Sequence, residues 1–500
     1  MLIPFNSFTP SWASPASSLK TTCYNPALMP RRISCIILVL CSAALFGYVS
    51  YRAVHLSFVH DESLSFTIVL GDPTWKTTAN HHPLNTRFMI WCLRTFGNSE
   101  ASLRLPNVLS FTLYLISGLL LLRRLKNAWT IVLGFALLNL NPFLLDFFGL
   151  ARGYGLASSF LLTALFLFVE AWYRSDTPWF YICLFLSFVF AGLADQANYA
   201  WVNAHLALLA GALIMLFLNS DSLRLRFTRR NVSFGVLLVL ANGWFLLNVV
   251  RRILRLQGDG QLYAGGKHLS ETLSSLVQAY LYTAKYQWLM SYIEWAILAL
   301  LAIIGLWLAF RIVKERRLSV TAIVYGVLVF AILAPVSEHY LFGSLYPADR
   351  TALYYVPMFV LAVAYAFDEK IQNKFLQFAS AACVILLIVH FSNTANLRYT
   401  LIWKYDANNR EAMQEVTKHF AGSGKNVRIG NSWLLEPGIN YYRISHQLDW
   451  LEPATRDGVE SSPDYDVLFT FPPELATKFE RYFLVRDFPD SGVQLMFRKQ

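Results

Sequence analysis

Apolar runs long enough to cross a membrane recur along this chain, and nothing else in it constrains the fold as strongly. A hydrocarbon core of roughly 30 Å is crossed by about 20 apolar helical residues, because each backbone polar group must find its partner inside the segment. Runs at 33–51, 105–122, 128–145, 155–173, 179–195, 200–218, 232–250, 291–310, 318–335, 351–367 and 375–391 meet or approach that length. Taken as crossings they make about eleven. The chain is 56% hydrophobic and only 15% charged, outside the range of ordinary soluble domains. The expected fold class is a polytopic α-helical membrane protein.

A formal net charge of +11 would suit a nucleic-acid binder, but its distribution has another cause. Basic residues gather in alternate short loops: Arg31 and Arg32, Arg123 to Lys126, Arg224 to Arg230, Arg311 to Arg317, and more sparsely Lys370 and Lys374. This alternation predicts a cytoplasmic N-terminus and, after an odd number of spans, a C-terminal tail on the other side. No nucleic-acid partner is expected. Residues 1–30, rich in Ser, Pro, Thr and Asn, read as a disordered cytoplasmic lead. The cysteines are scattered, with Cys35, Cys41, Cys183 and Cys383 inside spans, which argues against a disulfide framework or a zinc site.

Composition divides the chain into a membrane region over 31–395 and a tail over 396–500. In the tail, 408–420 has helical periodicity, 427–430, 465–471 and 493–498 read as strands, and 473–482 as a second helix. A small extracytoplasmic α/β domain is the expectation. Two long outer loops are expected, at 52–104 and 251–290. In the first, Leu84, Phe88, Cys92 and Phe96 recur every fourth residue with Met89 and Leu93 alongside, one face of an amphipathic helix suited to the membrane interface. In the second, Gly258, Gly260, Gly265 and Gly266 precede an aromatic stretch, which reads as a mobile segment followed by an interfacial helix.

Ionisable residues of mixed sign sit at the outer ends of the spans. They include Asp61, Glu62, Asp146, Arg152, Asp195, Glu294, Glu338, His339, Asp349 and Arg350. Carboxylates beside hydrocarbon are costly and tend to mark chemistry. The adjacent pair Asp61 and Glu62 stands out, in the tripeptide that starts at His60. A helix start with Asp61 as cap and Glu62 in its first turn is the bland alternative, and it is compatible with catalysis.

The order of short motifs carries a resemblance. Asp61-Glu62 follows the first span, then His82-Pro83-Leu84, then Phe96 to Glu100 leading to Arg104-Leu105-Pro106. Ala151 to Tyr154 precedes the fourth span, and Arg350 with Tyr354 or Tyr355 and Pro357 opens the tenth. Over roughly 33–365 this resembles the C-type membrane glycosyltransferases, in particular the protein mannosyltransferase and aminoarabinose (lipid A) transferase relatives. The resemblance implies transfer of a sugar from a polyprenyl-phosphate donor to an acceptor lipid, glycan or protein on the non-cytoplasmic face of a plasma membrane.

In that chemistry Asp61 is the expected general base, and Glu62 orients the acceptor, holds a metal or supports Asp61. Arg152 and Arg350 are expected to grip the donor phosphate with His82 and Tyr154, while Arg104 and Glu100 support the site. Aminoarabinose-type members carry Glu-Lys where this chain has His81-His82, so the lysine's role does not carry over directly. A divalent metal held by His81 and His82 with the nearby carboxylates is a further option. Two other readings compete: a lipid-linked oligosaccharide ligase, and a transporter or flippase of a lipid-linked sugar. Against the transporter stand the lack of mid-span charges and of paired broken helices in the sequence.

Overall fold

The computed structural model describes residues 31–370, 374–461, 464–475 and 479–499; the expected disordered lead at 1–30 lies outside the described residues. From the start the helices are α1 (Arg31–His55), α2 (His60–Val69), α3 (Pro83–Phe96), α4 (Glu100–Leu122), α5 (Ala128–Asn139), α6 (Pro142–Phe148), α7 (Gly153–Tyr173), α8 (Trp179–Ala197) and α9 (Val202–Phe217). They continue as α10 (Arg229–Gly258), α11 (Leu269–Leu281), α12 (Met290–Glu315), α13 (Val320–Phe342), α14 (Tyr355–Lys370) and α15 (Lys374–Thr394). The tail holds α16 (Asn409–Phe420), β1 (Ile429–Asn431), α17 (Glu436–Ser445), β2 (Val467–Thr470), β3 (Tyr482–Phe488) and β4 (Val493–Arg498).

Among the described residues, nine helices are long and apolar enough to cross a membrane: α1, α4, α7 to α10, α12, α13 and α15. The protein is an integral, multi-pass membrane protein. The expected count of eleven is corrected at two places. The run at 128–145 is two helices, α5 and α6, bent by 61° and together making at most a tenth span. Asn141 caps α6 by accepting from the Leu144 N–H, and Pro142 at its first turn has no N–H to continue the preceding helix. The expected crossing at 351–367 is α14, a helix of 16 residues. At about 1.5 Å per residue it falls short of the hydrocarbon thickness.

The centre of the bundle is α7, buried along most of its length and packed against α4 and α8. The first loop places α2 and α3 across one end of the bundle. The α3 helix buries Asn85, Met89 and Cys92, packs Leu84, Phe88 and Leu93 against the core and exposes Trp91 and Phe96, so the expected face is buried except at Phe96. The second loop is shorter than expected, because 251–258 continue α10, and it contains α11. Its aromatic stretch forms the end of α11 and a 3-10 turn, Ala284–Leu289.

The tail sheet runs β1-β2-β4-β3, with β1 parallel to β2 and the other pairs antiparallel. In place of the helix expected at 473–482, the described residues form 3-10 turns at Pro472–Leu475 and Phe479–Arg481, and Tyr482 already begins β3. The tail is packed onto the same end of the bundle as α2. Phe58 stacks on Tyr441 at 4.0 Å, and Phe66, Met89 and Leu103 share one apolar cluster with Val416, Ile439 and Phe469. Burial of such rings, worth about 1.5–3 kcal/mol each, makes tail and bundle one folded unit.

Candidate active site

The α2 helix is short and almost wholly buried, and its first turn carries His60, Asp61 and Glu62. The two acids turn to different partners. Glu62 reaches back to accept the Val59 N–H at 3.0 Å, so it, rather than Asp61, satisfies a free donor at the helix start. Its carboxylate also receives Arg104 Nε at 2.8 Å, Arg104 Nη2 at 2.6 Å and the Ala151 N–H at 2.5 Å. Arg104 itself donates to the carbonyls of Ala53, Leu56 and Ser57. Neither side chain has any exposed surface. Both Glu62 oxygens are thus engaged by the protein, which leaves none for an acceptor or a metal.

Asp61 faces the other way, into a cluster of cations. Arg152 Nη2 lies 3.2 Å and Arg350 Nη1 3.7 Å from the same oxygen, Asp61 Oδ2. Burial pushes the Asp61 carboxyl up, but the Arg152 and Arg350 guanidiniums outweigh it and hold it below the ordinary carboxylate range. Arg152 precedes α7 and is fully buried, its Nη1 held by Asp61 O, Ser65 Oγ and Asn80 O. Its Nε and Nη2 have no hydrogen-bond partner. Arg350 is a quarter exposed and lies over the rings of Tyr154, at 6.0 Å, and Trp403, at 5.3 Å.

His82 ends the loop before α3 and is buried, with its ring 5.1 Å from that of Tyr154. Neither of its nitrogens has a partner. Burial, with Arg152 and Arg252 nearby, depresses it well below the usual histidine range, so it is neutral near pH 7. His81 points elsewhere: Nδ1 meets Lys76 O at 2.9 Å, and burial together with Arg252 lowers it to about 4. The metal option at His81 and His82 is corrected on these grounds. Among the described residues no three His, Cys, Asp or Glu side chains could hold a metal ion, and the cations beside His82 would repel one. Glu100 also lies apart from Asp61, accepting from Arg410 Nε at 2.9 Å and Tyr442 OH at 2.9 Å at the seam with the tail.

Three contributors were not expected from the sequence. Arg252, near the end of α10, donates to the His81 carbonyl. Trp403 and Asp406 come from the segment joining α15 to the tail. Asp406 accepts the His60 N–H at 2.7 Å and Asn409 Nδ2 at 2.8 Å, and burial lifts its carboxyl well above the usual range. The only local signal was the placement of Trp403 and Asp406 just after the last span, which by itself marks no chemistry.

No family model matches this sequence, and no curated protein matches it. Among solved structures it is similar to ArnT from Cupriavidus metallidurans bound to undecaprenyl phosphate, with 12% identity over 92% of this chain and 97% of that one and a TM-score of 0.52. The apo state of ArnT matches over the same shares at 12% identity and a TM-score of 0.45. An Archaeoglobus fulgidus oligosaccharyltransferase in complex with Zn and sulfate matches over 88% of this chain and 68% of that one, at 13% identity and a TM-score of 0.45. The ArnT likeness is one of fold: this chain shares the polytopic helical fold of that structure, with a small sheet-bearing tail.

Proposed function

We propose that this protein transfers a sugar from a polyprenyl-phosphate donor to an acceptor hydroxyl on a lipid, glycan or protein. The observation that carries the reading is the sharing of one Asp61 oxygen by two guanidiniums, at the tail-bearing end of a bundle with the ArnT fold. Basic clusters at the opposite helix ends, Arg123 to Lys126 and Arg311 to Arg317, support a non-cytoplasmic position for this end.

Asp61 removes the acceptor hydroxyl proton as the oxygen attacks the anomeric carbon. The bond from that carbon to the phosphate oxygen breaks, and polyprenyl phosphate leaves with the electron pair. Arg350 and Arg152 stabilise that charge through the fork of a guanidinium, and Tyr154 and His82 border the phosphate. Unpartnered buried polar atoms cost about 1–3 kcal/mol each. Arg152 Nε and both His82 nitrogens have no hydrogen-bond partner, and phosphate oxygens would satisfy such donors. Asp61 serves here as counter-ion to both arginines. A bound phosphate takes over that part, and Asp61, with less positive charge beside it, gains the proton affinity a base needs. Glu62 and Arg104 form the frame that holds α2 in place.

The test is Asp61→Asn in the full chain, with undecaprenyl phosphate as the binding probe and transfer from membrane lipid-linked sugar as the readout. We expect transfer to fall by about 10²–10⁴. The probe should bind more tightly, because the competing anion is gone. Retained turnover would remove Asp61 as base. Movement of labelled lipid across vesicles without a glycosylated product would favour a flippase.

A further inference from the structure

Far from Arg350, the C-terminal ends of α12 and α14 enclose a cavity that the transfer site does not use. Its volume is about 400 Å³, within the roughly 300–1,000 Å³ of small-ligand pockets. Trp307, Arg311 and Lys314 lie at i, i+4 and i+7 of α12, so one flank of that helix carries all three. Lys370 joins them from the last turn of α14. The Trp307 ring packs between the two helices on Ile304, Leu308, Val363 and Ala366. It gathers a cation from each: Lys370 Nζ lies 5.0 Å and the Arg311 guanidinium 5.7 Å from its centroid. Lys314 Nζ lies 5.9 Å from the centroid of the Phe310 ring. Glu315 accepts from Arg311 Nε at 3.0 Å, and Glu369 accepts from Arg311 and Thr321. Arg311 thus answers both acids of the cavity. Among the described residues Lys314 and Lys370 make no ion pair.

We propose that this cavity binds the phosphate of an anionic phospholipid head group from the membrane leaflet at that end of the bundle. Basic residues at span ends orient a membrane protein without any ligand. A cavity in which one indole holds cations from two helices has a further use. Each lysine sits by an aromatic face, which attracts its charge but leaves its N–H donors for phosphate oxygens. The lipid source follows from the outer flank of α12. Ile303, Leu306, Phe310 and Val313 are 64%, 73%, 66% and 77% exposed, and their spacing makes them one apolar stripe. Phe310 belongs both to that stripe and to the cavity wall, so acyl chains on the stripe bring a head group to the lysines. A free phosphate has no use for the stripe. The bound lipid bridges Lys314 of α12 and Lys370 of α14, clamping two helices at a basic membrane surface. The site is separate from the transfer site: Arg350 precedes α14 and Lys370 ends it, 16 helical residues or about 24 Å apart.

The test is binding of dioleoylphosphatidylglycerol to the full-length protein in a neutral detergent, with dioleoylphosphatidylcholine and inorganic phosphate as alternative probes. Each lysine beside a lipid phosphate contributes about a fivefold factor in affinity. Lys314→Gln with Lys370→Gln should therefore weaken phosphatidylglycerol binding about 25-fold. Arg316→Gln with Arg317→Gln removes the same charge from the adjoining loop, outside the cavity, and should weaken it by at most about threefold. Lys314→Arg with Lys370→Arg keeps both charges and should also stay within about threefold of wild type. An unchanged affinity in the Lys→Gln pair overturns the site, and equal losses in the lysine and arginine pairs reduce it to general surface attraction. A loss in the Lys→Arg pair as large as in the Lys→Gln pair assigns the effect to packing and overturns the role of charge. Phosphatidylcholine binding as tight as phosphatidylglycerol removes the anionic requirement. Displacement of phosphatidylglycerol by millimolar inorganic phosphate makes the ligand a free anion and overturns the lipid source.

Discussion

Neighbouring residues on a helix point about 100° apart, so two adjacent acids cannot share one environment. Here that rotation separates a carboxylate facing Arg152 and Arg350 from one enclosed by Arg104 and backbone donors. A buried ion pair adds little net stability when intact, yet removing one partner strands the other without water. Glu62→Gln should therefore destabilise the protein by about 3–5 kcal/mol, read as a lowered thermal unfolding midpoint in detergent. Replacing both partners, as Glu62→Gln with Arg104→Met, should recover part of that loss. A single variant as stable as wild type would remove Glu62 from the frame. The sequence marked this pair but could not apportion it, since adjacency says nothing about what packs on each side.

At the scale of elements, the start of α7 is the most constrained joint of the site. A Cβ at Gly153 would lie 2.0 Å from the Ala197 carbonyl oxygen and 2.9 Å from His82 Cγ. Glycine here lets three elements meet beside Arg152. Gly153→Ala should push α7 away from α8 and His82, and a displacement near 1 Å commonly costs about 100-fold in a positioned site. A loss of undecaprenyl phosphate affinity of roughly tenfold or more is expected, whereas Gly47→Ala, where a Cβ meets nothing within 4 Å, should bind as wild type. Equal affinities for both variants would contradict the close approach. Element boundaries were unevenly legible. The strand at 493–498 and the helix ending at Phe420 were read closely, because period and composition agree there. The break between α5 and α6 is masked by an unbroken apolar run, although Asn141-Pro142 spells a helix start.

For the whole molecule, three histidines line the joints where loop, bundle and tail meet. His60 touches Leu434 O of the tail at 2.7 Å, and burial lowers it, as it lowers His81 to about 4 and His82 further. Each binds its proton more weakly in the folded protein than in the unfolded chain, where it is taken up near pH 6.5. The unfolded chain thus binds more protons over that interval, and stability declines as pH falls below about 6.5. The unfolding midpoint should drop between pH 7.5 and pH 5, and His82→Asn should shrink the drop. A flat profile, or an unchanged drop in the variant, would count against buried neutral histidines at these joints.

Membrane class, helix periodicity and the separate tail follow from the sequence alone, because each depends on residue type over a short local window. The acid pair, Arg152 and Arg350 are also visible there as unusual residues at span ends, and Arg104 through the motif that carries the resemblance. Only the tertiary structure decided which acid meets which cation, and that Asp406, 346 positions from His60, caps the same helix. Pairing of that kind depends on close packing between distant segments, and the folded chain alone brings their side chains within reach of each other.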